Sequence, residues 1–312
     1  MGIEQRLVAQ AGANHPARSR VRGLALLAAS VVVSGCSVKH TVKVPVTAKI
    51  REAKTSSLDQ LLEQYNRQQS LIATLSSAAL KISYTTGKID AGSLQEYRSA
   101  PGYILLKRPD SFRLNIQNPV TKGTIAELAS TGDDFSIWYP RDNKFFVGRN
   151  SFKELEVEGS TGSPAFSARP IHIFEAILPA ALPRDDPDLR VSFEEERDAT
   201  AKYYVISLFR ETGKTQLRIL RKLWFERSDL VLVKQATYTE AGAVSSLVFY
   251  SNLIPLEGML FPHSIRLDRP EDGYTLSMEI RVWRMNPELQ KDAFVLARPQ
   301  SSQLVQLREK VR

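Results

Sequence analysis

Two histidines, His172 and His263, fall in the part of the chain patterned to fold, and they are the side chains best suited to move a proton near neutral pH. Acid–base or nucleophilic catalysis needs partners converging on such a group, and the sequence holds no Gly-x-Ser-x-Gly elbow and no His-Glu-x-x-His pair. His172 lies between Ile171 and Ile173 in a short apolar stretch, and His263 follows Pro262 at a strand start; both read as packed or surface side chains. Asp185-Asp186-Pro187-Asp188 gathers oxygens of the kind that hold a hard cation, but a proline-interrupted acidic run reads as a solvated turn. Glu194-Glu195-Glu196 reads as an exposed strand edge, where charge discourages pairing with other chains. The expectation is a protein with no catalytic residues, no metal ligands and no cofactor, and not an enzyme.

One reactive group stands apart. Cys36 is the sole cysteine, so no internal disulfide can form. Arg18, Arg20 and Arg22 precede an eleven-residue apolar run, Gly23 to Val33, which is the layout of a secretory signal. A bilayer-spanning helix needs about 20 such residues, so the segment reads as exported and cleaved. Val33-Ser34-Gly35-Cys36 resembles the lipobox of bacterial lipoproteins. That resemblance implies lipidation of Cys36, which anchors the mature chain in a membrane. Ser37 stands where inner-membrane-retained lipoproteins carry aspartate, which implies the outer membrane with the domain facing the periplasm. Residues 1–35 are thus read as a signal peptide and 36–56 as the lipidated cysteine and a flexible tether.

Losing the four arginines and one glutamate of residues 1–35 takes the formal net charge from +8 to +5. The basic residues alternate along strands and form no run, and nucleic acid is excluded as a partner. From Ser57, with Gln60 three residues on, a capping box opens an amphipathic helix over 57–76. The period then changes to two. Strands are predicted at 78–86, 94–107, 111–117, 123–130, 134–139 and 144–149, separated by turn residues. A Gly/Ser/Pro-rich loop at 159–164 and a short helix at 170–178 interrupt the series. Further strands are predicted at 189–197, 201–210, 215–227, 230–239, 244–251, 260–268 and 274–284. Short connections without intervening helices imply antiparallel meanders. One domain spans 57–295, and 296–312 reads as a loosely structured tail.

The segment Gly102-Tyr103-Ile104-Leu105-Leu106-Lys107-Arg108-Pro109-Asp110-Ser111-Phe112-Arg113, followed by Asn118-Pro119, Ser130-Thr131-Gly132 and Ile137-Trp138-Tyr139-Pro140, resembles the LolA/LolB-like periplasmic lipoprotein carriers and receptors. The resemblance covers about residues 57–150. It implies a mainly β (α+β) fold, an antiparallel half-open β-barrel of about ten or more strands covered by a few helices. Its apolar cavity would accept lipid or the acyl chains of lipoproteins. Helices 57–76 and 170–178 would form the lid, with loop 159–164 as hinge. No exposed apolar loop of the kind receptor members use to pass on cargo is evident in the sequence. Alternation places Leu80, Ile82, Tyr84, Ile104, Leu106, Phe112, Leu114, Ile116, Phe135, Ile137, Tyr139, Phe145 and Val147 on one parity of their strands, as candidates to line the cavity. Apart from Phe135 and Val147, these are the expected ligand-binding residues. The expected function is lipid or lipoprotein acyl-chain binding in lipoprotein sorting. The alternative is a structural or signalling envelope lipoprotein that uses the sheet as a protein-interaction platform.

Overall fold

The computed structural model describes residues 52–87, 95–152, 155–157, 168–184, 186–213 and 216–309. Cys36, Asp185, the tether up to Arg51 and loop 159–164 lie outside the described residues. The chain opens with helix α1 (Leu58–Leu71), capped by Ser57 in the predicted box: Gln60 N donates to Ser57 Oγ, and Ser57 N donates to the Gln60 side chain. The helix ends at Leu71 and not at 76. Leu75 is drawn into the sheet core, and Asn286, 215 residues away, donates from Nδ2 to the Leu71 carbonyl and accepts at Oδ1 from Ala73 and Thr74 N–H. The orphan groups of the helix end are thus satisfied from outside the local sequence.

Among the described residues, sixteen strands form one sheet. The first meander comprises β1 (Thr74–Thr86), β2 (Gln95–Lys107), β3 (Ser111–Gln117), β4 (Thr124–Thr131), β5 (Asp134–Tyr139) and β6 (Lys144–Arg149). The short β7 (Leu155–Val157) and helix α2 (Pro170–Ile177) follow. The second meander comprises β8 (Leu189–Arg197), β9 (Lys202–Glu211), β10 (Leu217–Glu226), β11 (Val231–Tyr238), β12 (Val244–Leu256), β13 (Met259–Arg269) and β14 (Tyr274–Ile280). β15 (Arg284–Met285) pairs with the start of β1, and β16 (Gln303–Glu309) closes the chain.

The two meanders are one wall. β14 pairs antiparallel with β1 from Leu80↔Ile280 to Thr86↔Tyr274, so the strand order runs β7-β16-β6-β5-β4-β3-β2-β1-β14-β13-β12-β11-β10-β9-β8. The sheet is large, curved and unclosed: β7 and β8 are its ends. Register shifts in the β1–β2, β3–β4, β9–β10, β10–β11 and β11–β12 ladders supply bulges, which increase local twist and bend. Gly102 permits the close β2–β3 contact, since a Cβ there would lie 2.3 Å from the Asn115 carbonyl oxygen.

The tail corrects the sequence reading. Residues 303–309, expected to be loosely structured, form β16, which runs parallel to β6 and antiparallel to β7. Before it, Arg113 donates to the Ala293 carbonyl at 3.0 Å and Asn143 to the Ser301 carbonyl at 2.8 Å, so the segment crosses the first meander before it joins the edge.

Candidate functional site

Both helices pack on the same face of the sheet, here the inner face. α1 sets Leu61, Leu62 and Tyr65 against Tyr204, Ile206, Leu208, Leu223 and Phe225 of β9 and β10. α2 lies against β3, β4 and β13. Its sequence is apolar nearly all round, the signature of a helix buried within a protein, and of its eight residues only Ile171 and Glu175 escape burial.

The inner face is a continuous apolar cluster in which Leu80, Ile82, Tyr84, Ile104, Leu106, Phe112, Leu114, Ile116, Phe135 and Ile137 come together with Ile173, Phe174, Ile177 and Leu178; Tyr139 packs at its edge. Ile104, Leu106, Phe112 and Leu114 have 0% exposure, so no water-sized space adjoins them. In this conformation α2 packs on β3, β4 and β13, against the wall that alternation assigned to a cavity.

Phe145 and Val147 are the exceptions. The register pairs Phe146 with Ile137 and Phe145 with Trp138, so Phe146 faces inward while Phe145 and Val147 face outward. Both phenylalanines are buried, and an adjacent aromatic pair offers no alternation from which to choose a face.

α2 and the segment 178–182 that follows it are held less by their own sequence than by side chains that reach their carbonyls. Gln235 donates to Glu175 O at 3.3 Å and Tyr250 to Ala176 O at 2.8 Å. Tyr65 and Arg221 both donate to Ala180 O, at 3.1 and 2.9 Å. Asn66 donates to Leu182 O and accepts from Leu182 N, both at 2.8 Å. Arg108, from the basic-Pro turn, donates to Ile72 O at 3.1 Å, Leu178 O at 3.5 Å, Pro179 O at 3.3 Å and Gln69 Oε1 at 2.8 Å. Arg108 therefore ties together the end of α1, the turn before β3 and the exit from α2. Two guanidinium groups at the C-terminal end of α2 also complement its dipole. Burial pushes the Tyr250 hydroxyl well above the ordinary phenol range, so it remains a donor.

The other end of α2 is polar. His172 Nδ1 shares a hydrogen bond with the Tyr274 hydroxyl at 3.1 Å and lies 3.8 Å from Asp272, which pairs with Arg269 at 2.7 Å. Burial, and then the charges of Arg269 and Arg169, hold the His172 imidazole well below its ordinary range, so it is neutral. Arg169 is buried and donates to the Asn150 and Phe152 carbonyls. His263 is buried in β13. Asp186, from the acidic run, accepts from Asp188 N and pairs with Arg210, which commits it to its turn. Among the described residues no group of three or more His, Cys, Asp or Glu has the geometry to hold a metal, and no helix is long and apolar enough to cross a membrane.

The sequence motifs named the turn that carries Arg108 but not its role. Nor did they mark Tyr250, Gln235, Arg221 or Asn66, whose partners in 175–182 lie 41 to 116 residues away on the chain. Val120, at the tip of the β3–β4 turn, is 85% exposed, and Asn118 Oδ1 holds that turn by accepting from Val120 and Thr121 N–H.

No protein-family model matches the sequence, and no curated protein matches it. Solved structures do. A DUF1329 family protein from Desulfovibrio piger is 14% identical and aligns over 77% of this chain and 98% of its own, with a TM-score of 0.49. A LolA superfamily protein from Nitrosomonas europaea is 15% identical over 78% and 99% of the two chains, with a TM-score of 0.47. A candidate outer membrane lipoprotein-sorting protein domain from Vibrio parahaemolyticus is 12% identical over 75% and 94%, with a TM-score of 0.48.

Proposed function

We propose that this protein is a non-catalytic, lipid-anchored protein of the outer membrane, facing the periplasm, whose inner face exchanges α2 for the acyl chain of a lipid or lipoprotein. The observation that carries this reading is α2 itself: an apolar plug seated on an apolar wall and fastened by hydrogen bonds to its main chain. The lipobox and the LolA/LolB-like motifs favour the same cargo.

The energies are matched. An acyl chain burying about 14 methylenes at ~0.8 kcal/mol each gains at most about 11 kcal/mol. The α2 side chains Ile173, Phe174 and Ile177, with Leu178 at the helix C-cap, gain about 1.5–3 kcal/mol each, or roughly 6–12 kcal/mol together. Near-balance is what reversible loading needs, and the polar latch sets the direction. Val120 on its exposed turn fits the apolar contact through which cargo would be passed on.

The test is titration of the chain from Ser37 with dansyl-undecanoic acid. Saturable binding, with amide exchange across 170–182 accelerating on loading, supports the exchange; no uptake, or uptake with α2 unchanged, refutes it. A second reading, a protein-interaction platform, is favoured by the seating of the chain's own α2 on the inner face, and it is the one left if uptake fails.

A further inference from the structure

Where α1 meets the second meander, four polar side chains stand together on the otherwise apolar inner face: Tyr65 of α1, Arg221 of β10, Gln235 of β11 and Tyr250 of β12. They are linked to one another. Arg221 donates to Gln235 Oε1 from Nη2 at 2.7 Å and from Nε at 3.2 Å, and to the Tyr65 hydroxyl at 3.1 Å; Gln235 Nε2 donates to the Tyr250 hydroxyl at 2.7 Å. All four also donate to the α2 segment, where the carbonyls of Glu175, Ala176 and Ala180 receive four hydrogen bonds. At this contact the wall supplies the donors and the plug supplies the acceptors.

Arg221 carries the one formal charge of the four. Its hydrogen bonds all end on neutral groups, Ala180 O, Tyr65 Oη and Gln235 Oε1, and no ion pair among the described residues includes it. The charge that answers it sits on the plug. Glu175 is the one acidic residue of α2; desolvation raises its carboxyl, and Arg221 is the foremost of the charges that draw it back down.

Displacement of α2, the step of the proposed function on which this inference rests, removes three carbonyl acceptors and one carboxylate at once. Donors left without acceptors, and a partly shielded cation left without its counter-charge, are costly. An anionic head with two or more oxygens restores both. Position agrees with this: Gln235 and Tyr250 are buried, Arg221 is half-buried, and Glu175 and Ala180 are exposed, so the cluster runs from the wall out to water. A head bound there leads its chain onto the apolar surface that Phe174 and Ile177 now cover.

We infer that Arg221, with Tyr65, Gln235 and Tyr250, receives the anionic head, a carboxylate or a phosphate, of the lipid whose chain takes the place of α2. The carbonyls of α2 and the Glu175 carboxylate stand in for that head while the plug is seated.

The experiment compares dansyl-undecanoic acid with its methyl ester on the chain from Ser37. The acid should bind at least about tenfold tighter, since a charge-assisted hydrogen bond is lost in the ester. Arg221→Met should bring the two affinities together and Arg221→Lys should keep part of the preference, with urea midpoints showing that both variants fold. The ratio of acid to ester cancels any loosening of α2, which acts on both ligands alike, and the comparison in the parent needs no variant at all. Displacement of the bound acid by palmitate and by 1-palmitoyl-lysophosphatidylglycerol then distinguishes a carboxylate from a phosphate head, and success of either supports the site. Equal affinity of acid and ester in the parent, a preference undiminished in Arg221→Met, or displacement by neutral monopalmitoylglycerol as effective as by the anionic lipids overturns the inference while leaving acyl-chain uptake standing. Failure of both dansyl ligands to bind overturns the acyl reading and this inference with it.

Discussion

Arg108 shows how a residue can be visible in a sequence while its work is not. The run Lys107-Arg108-Pro109 announces a turn, but the guanidinium acts on Leu178 and Pro179, about 70 residues on, and nothing local marks those carbonyls as in need of a donor. Replacing Arg108 by alanine leaves Leu178 and Pro179 carbonyls without their donor; charged donors of this kind are worth about 1.5–3 kcal/mol each and are not additive. We expect Arg108→Ala to lose about 2–4 kcal/mol in urea unfolding and to raise amide exchange in 172–182 more than in β1–β6. The sequence leaves His172 as a packed or a surface side chain; it is buried beside Tyr274, and the consequence is a pH dependence. Because the folded imidazole titrates well below the unfolded value of about 6.5, the unfolded chain takes up the proton first. The contribution of His172 is therefore complete above pH 6.5 and is lost as pH falls below it, at up to about 1.4 kcal/mol per pH unit. Asp272 opposes this by favouring the charged ring, while Arg269 and Arg169 reinforce it. Urea midpoints from pH 7.5 to 5 should fall for the parent and flatten for His172→Gln.

At the scale of elements, periodicity performed well wherever one face of a strand is buried and the other is not. The first meander reads Phe112-Arg113-Leu114 and Phe135-Ser136-Ile137, and its register follows. It failed at Phe145-Phe146, where both faces are covered. It also failed at the end of α1, where Asn286 supplies the stop signal that a glycine or proline would otherwise give. β16 was missed for a related reason: in Gln303–Glu309 only Leu307 is buried. Its place depends instead on Gly148, where a Cβ would come 3.1 Å from Leu307 Cβ and 2.8 Å from Phe135 Cζ. Such a contact between strands distant in sequence leaves no local trace. Truncation after Ser302 should remove the parallel partner of β6 and the antiparallel partner of β7, and uncover Phe146. We expect a loss of about 2–4 kcal/mol, the range for deleting one large core side chain, and increased self-association through the new edge. Analytical ultracentrifugation and urea unfolding of the truncated chain measure the two effects.

For the molecule as a whole, the decisive join is β14 to β1, which turns two meanders into one wall whose inner face is longer than either helix can cover. Alternation along each strand foretold an apolar face; it said nothing of what would lie on it, because side-chain parity is blind to whether a lipid or the chain's own α2 supplies the opposing surface. The two cases differ thermodynamically. Filling an empty cavity with an acyl chain removes apolar surface from water on both sides of the contact and gives a large negative heat-capacity change. Exchange of α2 for the chain buries the ligand but returns Ile173, Phe174, Ile177 and Leu178 to solvent, so the apolar areas nearly cancel. Calorimetry of dansyl-undecanoic acid binding between 10 and 30 °C, as ~5 °C steps, should therefore show a heat capacity close to zero together with unchanged far-ultraviolet strand signal. Substituting Ile177 by aspartate weakens the plug without touching the wall, so it should tighten apparent binding by removing part of the competition. A strongly negative heat capacity in the parent, or weaker binding by Ile177→Asp with the fold intact, would mean that α2 stays in place and the ligand sits elsewhere.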